Sequence, residues 1–223
     1  MKRKNLNIAA VAIAIALTAV SANAAYQSGD FQIWNTDEQS VVIGKATRFT
    51  TQQEFRYGNG GGDIFYQHYD WGFAWAFNKM LELALGYRLV YDKPKAKWME
   101  EDHYYTNITP KFDIFGFRIE NRNRIVYRQF RSPTPNQLRY RNRILVKYPI
   151  EFKKIVIAPY VSNEIFVSSN GTGYNQNRLE SGIEFGLTKY VKMDFSYMQQ
   201  QVRGLNDKWF KANVLWMRSK IAF

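Results

Sequence analysis

Cysteine is absent from the 223-residue chain, and only two histidines, His68 and His103, occur in it. The first absence excludes disulfides, thiolate metal sites, iron–sulfur clusters and a cysteine nucleophile, and the second excludes a histidine-built metal centre. No metal or cofactor is therefore expected. Beyond residue 24 no apolar run approaches the roughly eighteen residues that a membrane-crossing helix needs. Phosphate-cradling loops, a dinucleotide fingerprint and a G-x-S-x-G elbow are also missing. In abundance are aromatic residues (16 Phe, 15 Tyr, 6 Trp) and positive charge, with 31 Lys and Arg against 19 Asp and Glu.

The amino-terminal segment reads as an export signal. Lys2, Arg3 and Lys4 precede an apolar run from Leu6 to Val20, and Ser21-Ala22-Asn23-Ala24 supplies the small residues that a signal peptidase requires. Cleavage is expected after Ala24. It removes three basic residues and leaves 199 residues with net charge +9. Without a lipobox cysteine the product is not a lipoprotein.

The remaining chain alternates with period two, the repeat that sends successive side chains to opposite faces of a strand. From Phe65 to Phe77 the odd positions are large aromatics, Gln67 excepted, and Leu81, Leu83, Leu85, Tyr87, Leu89 and Tyr91 repeat the pattern. Their neighbours on the other face include Glu82, Gly86 and Arg88. A face rich in Arg and Glu is too costly to bury dry. It points to water in a soluble sandwich or lipocalin-like binding protein, and into the lumen in an outer-membrane barrel. The export signal, strands of roughly 13–17 residues, aromatics near segment ends and a final strand closing on Phe223 favour the barrel. A terminal Phe on such a strand resembles the signal presented to the barrel-assembly machinery, which makes that machinery and outer-membrane lipid the expected partners.

Turn residues divide the chain into ten segments near 41–57, 63–77, 80–92, 97–112, 115–129, 137–149, 153–168, 175–189, 191–203 and 208–223. The expected fold is all-β, a transmembrane antiparallel up-and-down barrel of ten strands, with twelve as the alternative. Longer connections (58–62, 92–97, 131–136, 168–175, 204–207) fall on one side and short ones on the other. Residues 29–39 would add an eleventh strand and break the even parity of single-chain bacterial barrels. Residues 25–40 are accordingly assigned to an N-terminal periplasmic or lumenal segment and 41–223 to the barrel.

Projected inward, the polar face carries a basic stripe of Arg118, Arg122, Arg124, Arg128, Arg139, Arg141, Arg143 and Lys147. The acidic residues Glu54, Glu82, Glu120, Glu164, Glu180 and Glu184 project to the same side. Two readings follow: a lumen closed by mutual ion pairs, and a narrow passage that prefers small anions, since guanidinium groups suit carboxylate and phosphate. Nucleic-acid binding is not expected, because the basic residues alternate within strands and form no exposed patch. A lipid-modifying hydrolase is a further alternative, yet His68 and His103 share no evident serine partner and no catalytic residue is assigned.

The run from Arg118 to Arg128, the Arg139/Arg141/Arg143 ladder, Gly86-Tyr87-Arg88, Pro159 followed by Glu164 and Phe166, and Asn177-Arg178 before Gly182 resemble the outer-membrane barrels of domain-of-unknown-function family 2490. The resemblance spans nearly all of the chain after residue 24. It implies a Gram-negative outer-membrane β-barrel with the matching Arg and Glu positions lining its lumen, and it implies no activity.

Overall fold

The computed structural model describes residues 28–94, 97–152, 155–204 and 207–223, so the export signal expected at residues 1–24 lies outside the described residues. The strands are β1 (Asp30–Val42), β2 (Thr47–Gly58), β3 (Asp63–Asn78), β4 (Leu81–Asp92), β5 (Met99–Ile114), β6 (Phe117–Phe130), β7 (Gln137–Lys147), β8 (Ile150–Phe152), β9 (Ile155–Ser168), β10 (Gly173–Gly186), β11 (Val191–Arg203) and β12 (Trp209–Ala222). Among the described residues no helix is long and apolar enough to cross a membrane, a statement that does not bear on strands.

Among the described residues twelve strands are present where ten were expected, which matches the alternative count, and eleven of them close the barrel wall. The short β8 adds no separate wall position. Lys147 faces Tyr160 and Ile150 faces Ile157, so β7 and β8 pair with β9 in one continuous register. The break between them falls at Pro149, which has no N–H to give to the ladder.

The additional wall strand is β1, the segment that parity kept out of the barrel. An odd number of strands joined by hairpins forces the first and last to run the same way. β1 and β12 are indeed parallel, from Asp30 opposite Ala212 to Ser40 opposite Ala222. The expectation of a wholly antiparallel wall is thereby corrected. The Phe223 N–H donates to the Ser40 carbonyl (2.9 Å) and the Val42 N–H to the Phe223 carbonyl (3.2 Å), which fastens the carboxyl end of the chain to β1.

Connections alternate between two ends. The turn end carries 43–46, 79–80, 115–116, 187–190 and Phe223, while the loop end carries 59–62, 93–94, 97–98, 131–136, 169–172, 204, 207–208 and the start of β1. The β5–β6 turn is among the tightest. Phe115 (φ 50°) and Gly116 (φ 82°) both take the left-handed conformation that two-residue hairpins favour.

Polarity is inverted relative to a soluble barrel. Trp71, Leu85, Ile108, Ile125, Val161, Leu179 and Phe195 stand exposed on the outside, whereas Glu54, Asp70, Arg88, Arg124, Glu164, Arg178, Glu180 and Arg218 are buried inside. The aliphatic and aromatic core is correspondingly small. One cluster is Trp34, Met198 and Val214 with Trp216, and another is Phe65, Tyr66 and Val90.

Candidate functional site

Because the side-chain period is two, one residue parity on each strand faces inward, and the inward set on most strands is charged. These side chains bound two cavities inside the barrel. The larger, about 330 Å³, lies toward the turn end, and the smaller, about 250 Å³, toward the loop end. Arg56, Arg88, Arg141 and Arg178 line both, so the four guanidinium groups form a layer between the compartments.

Carboxylates and aromatic rings hold that layer in place. Arg56 pairs with Glu54 at 2.6 Å, and Arg88 pairs with Asp70 at 2.7 Å. Thr36 and Tyr105 hydroxyls donate to Glu54 and Asp70 (2.9 and 2.6 Å) and fix the two acids. Glu164 accepts from Arg122 (2.8 Å) and Arg141 (2.9 Å) and lies 3.7 Å from Arg178. The Trp34 indole sits between Arg56, at 3.7 Å from its ring centre, and Arg178, at 4.9 Å, while Phe166 carries Arg141 and Arg178 on its face. Such cation–π contacts are strongest where water is excluded.

Close backbone approach makes room for the two tyrosines that anchor acids. Gly72 and Gly86 face each other across β3 and β4, and a Cβ on Gly86 would overlap the Tyr105 ring. On the opposite wall Tyr160 hydrogen-bonds Glu180 (2.7 Å) and Asp194 (2.9 Å), and Arg218 pairs with both acids.

The sequence-derived residues divide between the compartments. Arg122, Arg124, Arg141, Arg143 and Lys147, together with Glu54, Glu82, Glu120, Glu164, Glu180 and Glu184, line the larger one. Arg128 and Arg139 line the smaller, where Arg128 pairs with Glu101 at 2.6 Å and Arg139 donates to Ser168 at 3.1 Å. Arg118 lines neither and pairs with Glu120 on its own strand at 3.2 Å. Lys147 reaches Glu184 at 3.1 Å, and Glu82 holds Lys111 at 2.9 Å.

Trp34, Arg56 and Asp70 escape the sequence reading, while Arg88 enters it on the polar face of its strand and, like Arg178, through the motifs that carry the family resemblance. The signal left for Arg56 is parity, since it shares a face with Glu54. Trp34 belongs to the strand that parity excluded.

The imidazoles do not assemble a hydrolytic set. His68 is buried, with both ring nitrogens lacking hydrogen-bond partners, and lies 3.8 Å from Glu54. His103 contacts Glu101 at 2.7 Å and Arg128 at 3.3 Å. Among the described residues neither histidine is hydrogen-bonded to a serine, and Ser162 instead donates to Glu180.

The family described as Protein of unknown function (DUF2490) matches residues 31–211. No curated protein matches the sequence. Among solved structures, the chain is similar to LpxR from Salmonella typhimurium, with a TM-score of 0.49 and 9% identity over 78% of this chain and 83% of that one.

Proposed function

The chain belongs to the DUF2490 family, and we propose that it is an integral outer-membrane β-barrel whose lumen is a narrow, anion-preferring passage held closed by its own arginine layer. The apolar exterior and charged interior support a lipid-facing wall, since a soluble sandwich or lipocalin-like protein carries the opposite polarity. All eleven wall strands run 11–16 residues, more than the roughly ten that a tilted crossing needs. The export signal read at residues 1–24 and the exposed terminal Phe223 fit delivery to the outer membrane and recognition by the barrel-assembly machinery.

The observation that carries the anion preference is the charge of the cavity walls. Fourteen Arg and Lys side chains line the two cavities against eleven Asp and Glu, an excess of three positive charges among the described residues. Arg124, Arg139 and Arg143 have no ion-pair partner among those residues, so the wall attracts anions and repels cations. A lipid-modifying hydrolase is less well supported, because both histidines point into the lumen and neither engages a serine among the described residues.

Glu164→Gln tests the reading. Removing this charge leaves Arg122, Arg141 and Arg178 mutually repelling and loosens the layer. In a planar bilayer with a salt gradient, the variant should give conductance steps whose reversal potential reports anion preference. Steps that favour cations would overturn the proposal.

A further inference from the structure

Across β6 and β7, Arg122 faces Arg143 and Arg124 faces Arg141, which places four arginines in two adjacent like-charged pairs on the wall of the larger cavity. Like charges directly opposite one another destabilise a sheet unless something neutralises them. Among the described residues only Glu164 does so by direct contact, and it is shared with Arg178 from a third strand. Arg124 is buried, donates to the Asn107 side-chain oxygen (2.6 Å) and lies over the Tyr105 ring at 4.1 Å. Neither partner carries a formal negative charge. Arg143 forms no ion pair among the described residues although Glu164 is its register neighbour on β9, because that carboxylate turns to Arg122 and Arg141. The next acid, Glu180, is taken by Arg218. The buried Nε atoms of both Arg122 and Arg143 lack hydrogen-bond partners.

Arg122, which shares Glu164 with two other arginines, and Arg124 and Arg143, which pair with no acid among the described residues, thus line one cavity with donor capacity unspent and positive charge in excess. We infer that Arg122, Arg124 and Arg143 form a binding site for a phosphate-class oxyanion in the cavity on the turn-end side of the arginine layer. This site rests on the anion-preferring lumen proposed above and names its ligand chemistry. Guanidinium presents a planar fork of N–H donors that matches oxyanion geometry, and the doubly charged form of phosphate answers the charge that Glu164 leaves over. The free ion and the phosphate of a small organic ester share this chemistry.

The test uses the full chain without its export signal, refolded in detergent, with inorganic phosphate and glycerol phosphate as probes in a constant chloride background. Calorimetric titration should give saturable binding, and phosphate should raise the unfolding temperature, since a ligand bound only to the folded state stabilises it. Arg124→Gln combined with Arg143→Gln should weaken binding by at least about tenfold, the loss of one charge-assisted contact or more. That variant removes unpaired like charges, so it should fold at least as stably as the parent without phosphate. Lys189→Gln, on an exposed turn outside both cavities, should bind as the parent does. Tighter binding of inorganic phosphate assigns the free ion as the ligand, and tighter binding of glycerol phosphate assigns an organic phosphate. The site is overturned if the folded parent binds neither probe, or if the double variant binds as tightly as the parent. Anion-selective steps from Glu164→Gln together with no phosphate binding would sink this site and leave the passage standing.

Discussion

Gly86 carries more of the lumen's geometry than its size suggests. Its missing side chain is the space that the Tyr105 ring occupies, and Tyr105 in turn fixes Asp70, the partner of Arg88. Gly86→Ala should displace the tyrosine, loosen Arg88 and lower stability by about 1–3 kcal/mol, the usual cost of overpacking. Denaturant unfolding of the refolded barrel checks this, and an unchanged midpoint would contradict it. Glu164 is the other residue on which much converges. Truncation to Ala leaves three arginines without their carboxylate, and the loss should be about 3–5 kcal/mol, as for other broken buried pairs. Neither effect is legible in the sequence. Period two places Glu164 and the arginines inward, but which of them touch depends on β6, β7, β9 and β10 meeting in one register, a fact of pairing that no local pattern carries.

At the level of the strand, the alternation of apolar and charged residues is legible almost throughout, and the observed bounds of β3, β4, β6 and β9 lie within a few residues of those drawn from turn signals. The segment 30–42 is the exception. Its inward face runs Asp30, Gln32, Trp34, Thr36 and Glu38, with charge only toward the two ends and no basic residue, so the count decides its place, and an even count excludes it. The parallel β1–β12 seam allows the odd number and puts the start of β1 and Phe223 at opposite ends. The absence of cysteine makes this directly measurable. On intact cells an impermeant maleimide should label Ser28→Cys, at the loop end, and leave Ala222→Cys unlabelled; labelling of both would contradict the seam. Outward polar residues are a second strand-level feature. Asn142 donates to Asn121 (2.6 Å) and Asn123 (2.9 Å), so these amides satisfy one another on the wall's exterior. Asn142→Leu removes the donor and should cost about 1 kcal/mol in lipid vesicles, read as a shift in unfolding midpoint.

The whole molecule is a sheet rolled so that its polar face is enclosed. An arginine layer lies between its two cavities, and on the reading proposed above that layer closes the passage. Length, parity of the side chains and the excess of basic residues make the charged lumen readable in advance. The closure is not readable, because it arises where Trp34, Arg56, Asp70, Arg88, Glu164 and Arg178 from different strands arrive at one depth. The most direct test is the single-channel behaviour of the chain without residues 1–24 and otherwise unaltered, refolded and added to a planar bilayer at neutral pH. A membrane that incorporates folded barrels and stays electrically silent, while Glu164→Gln opens it, is the predicted result. Steady open steps from the unmodified protein would contradict the closed arginine layer.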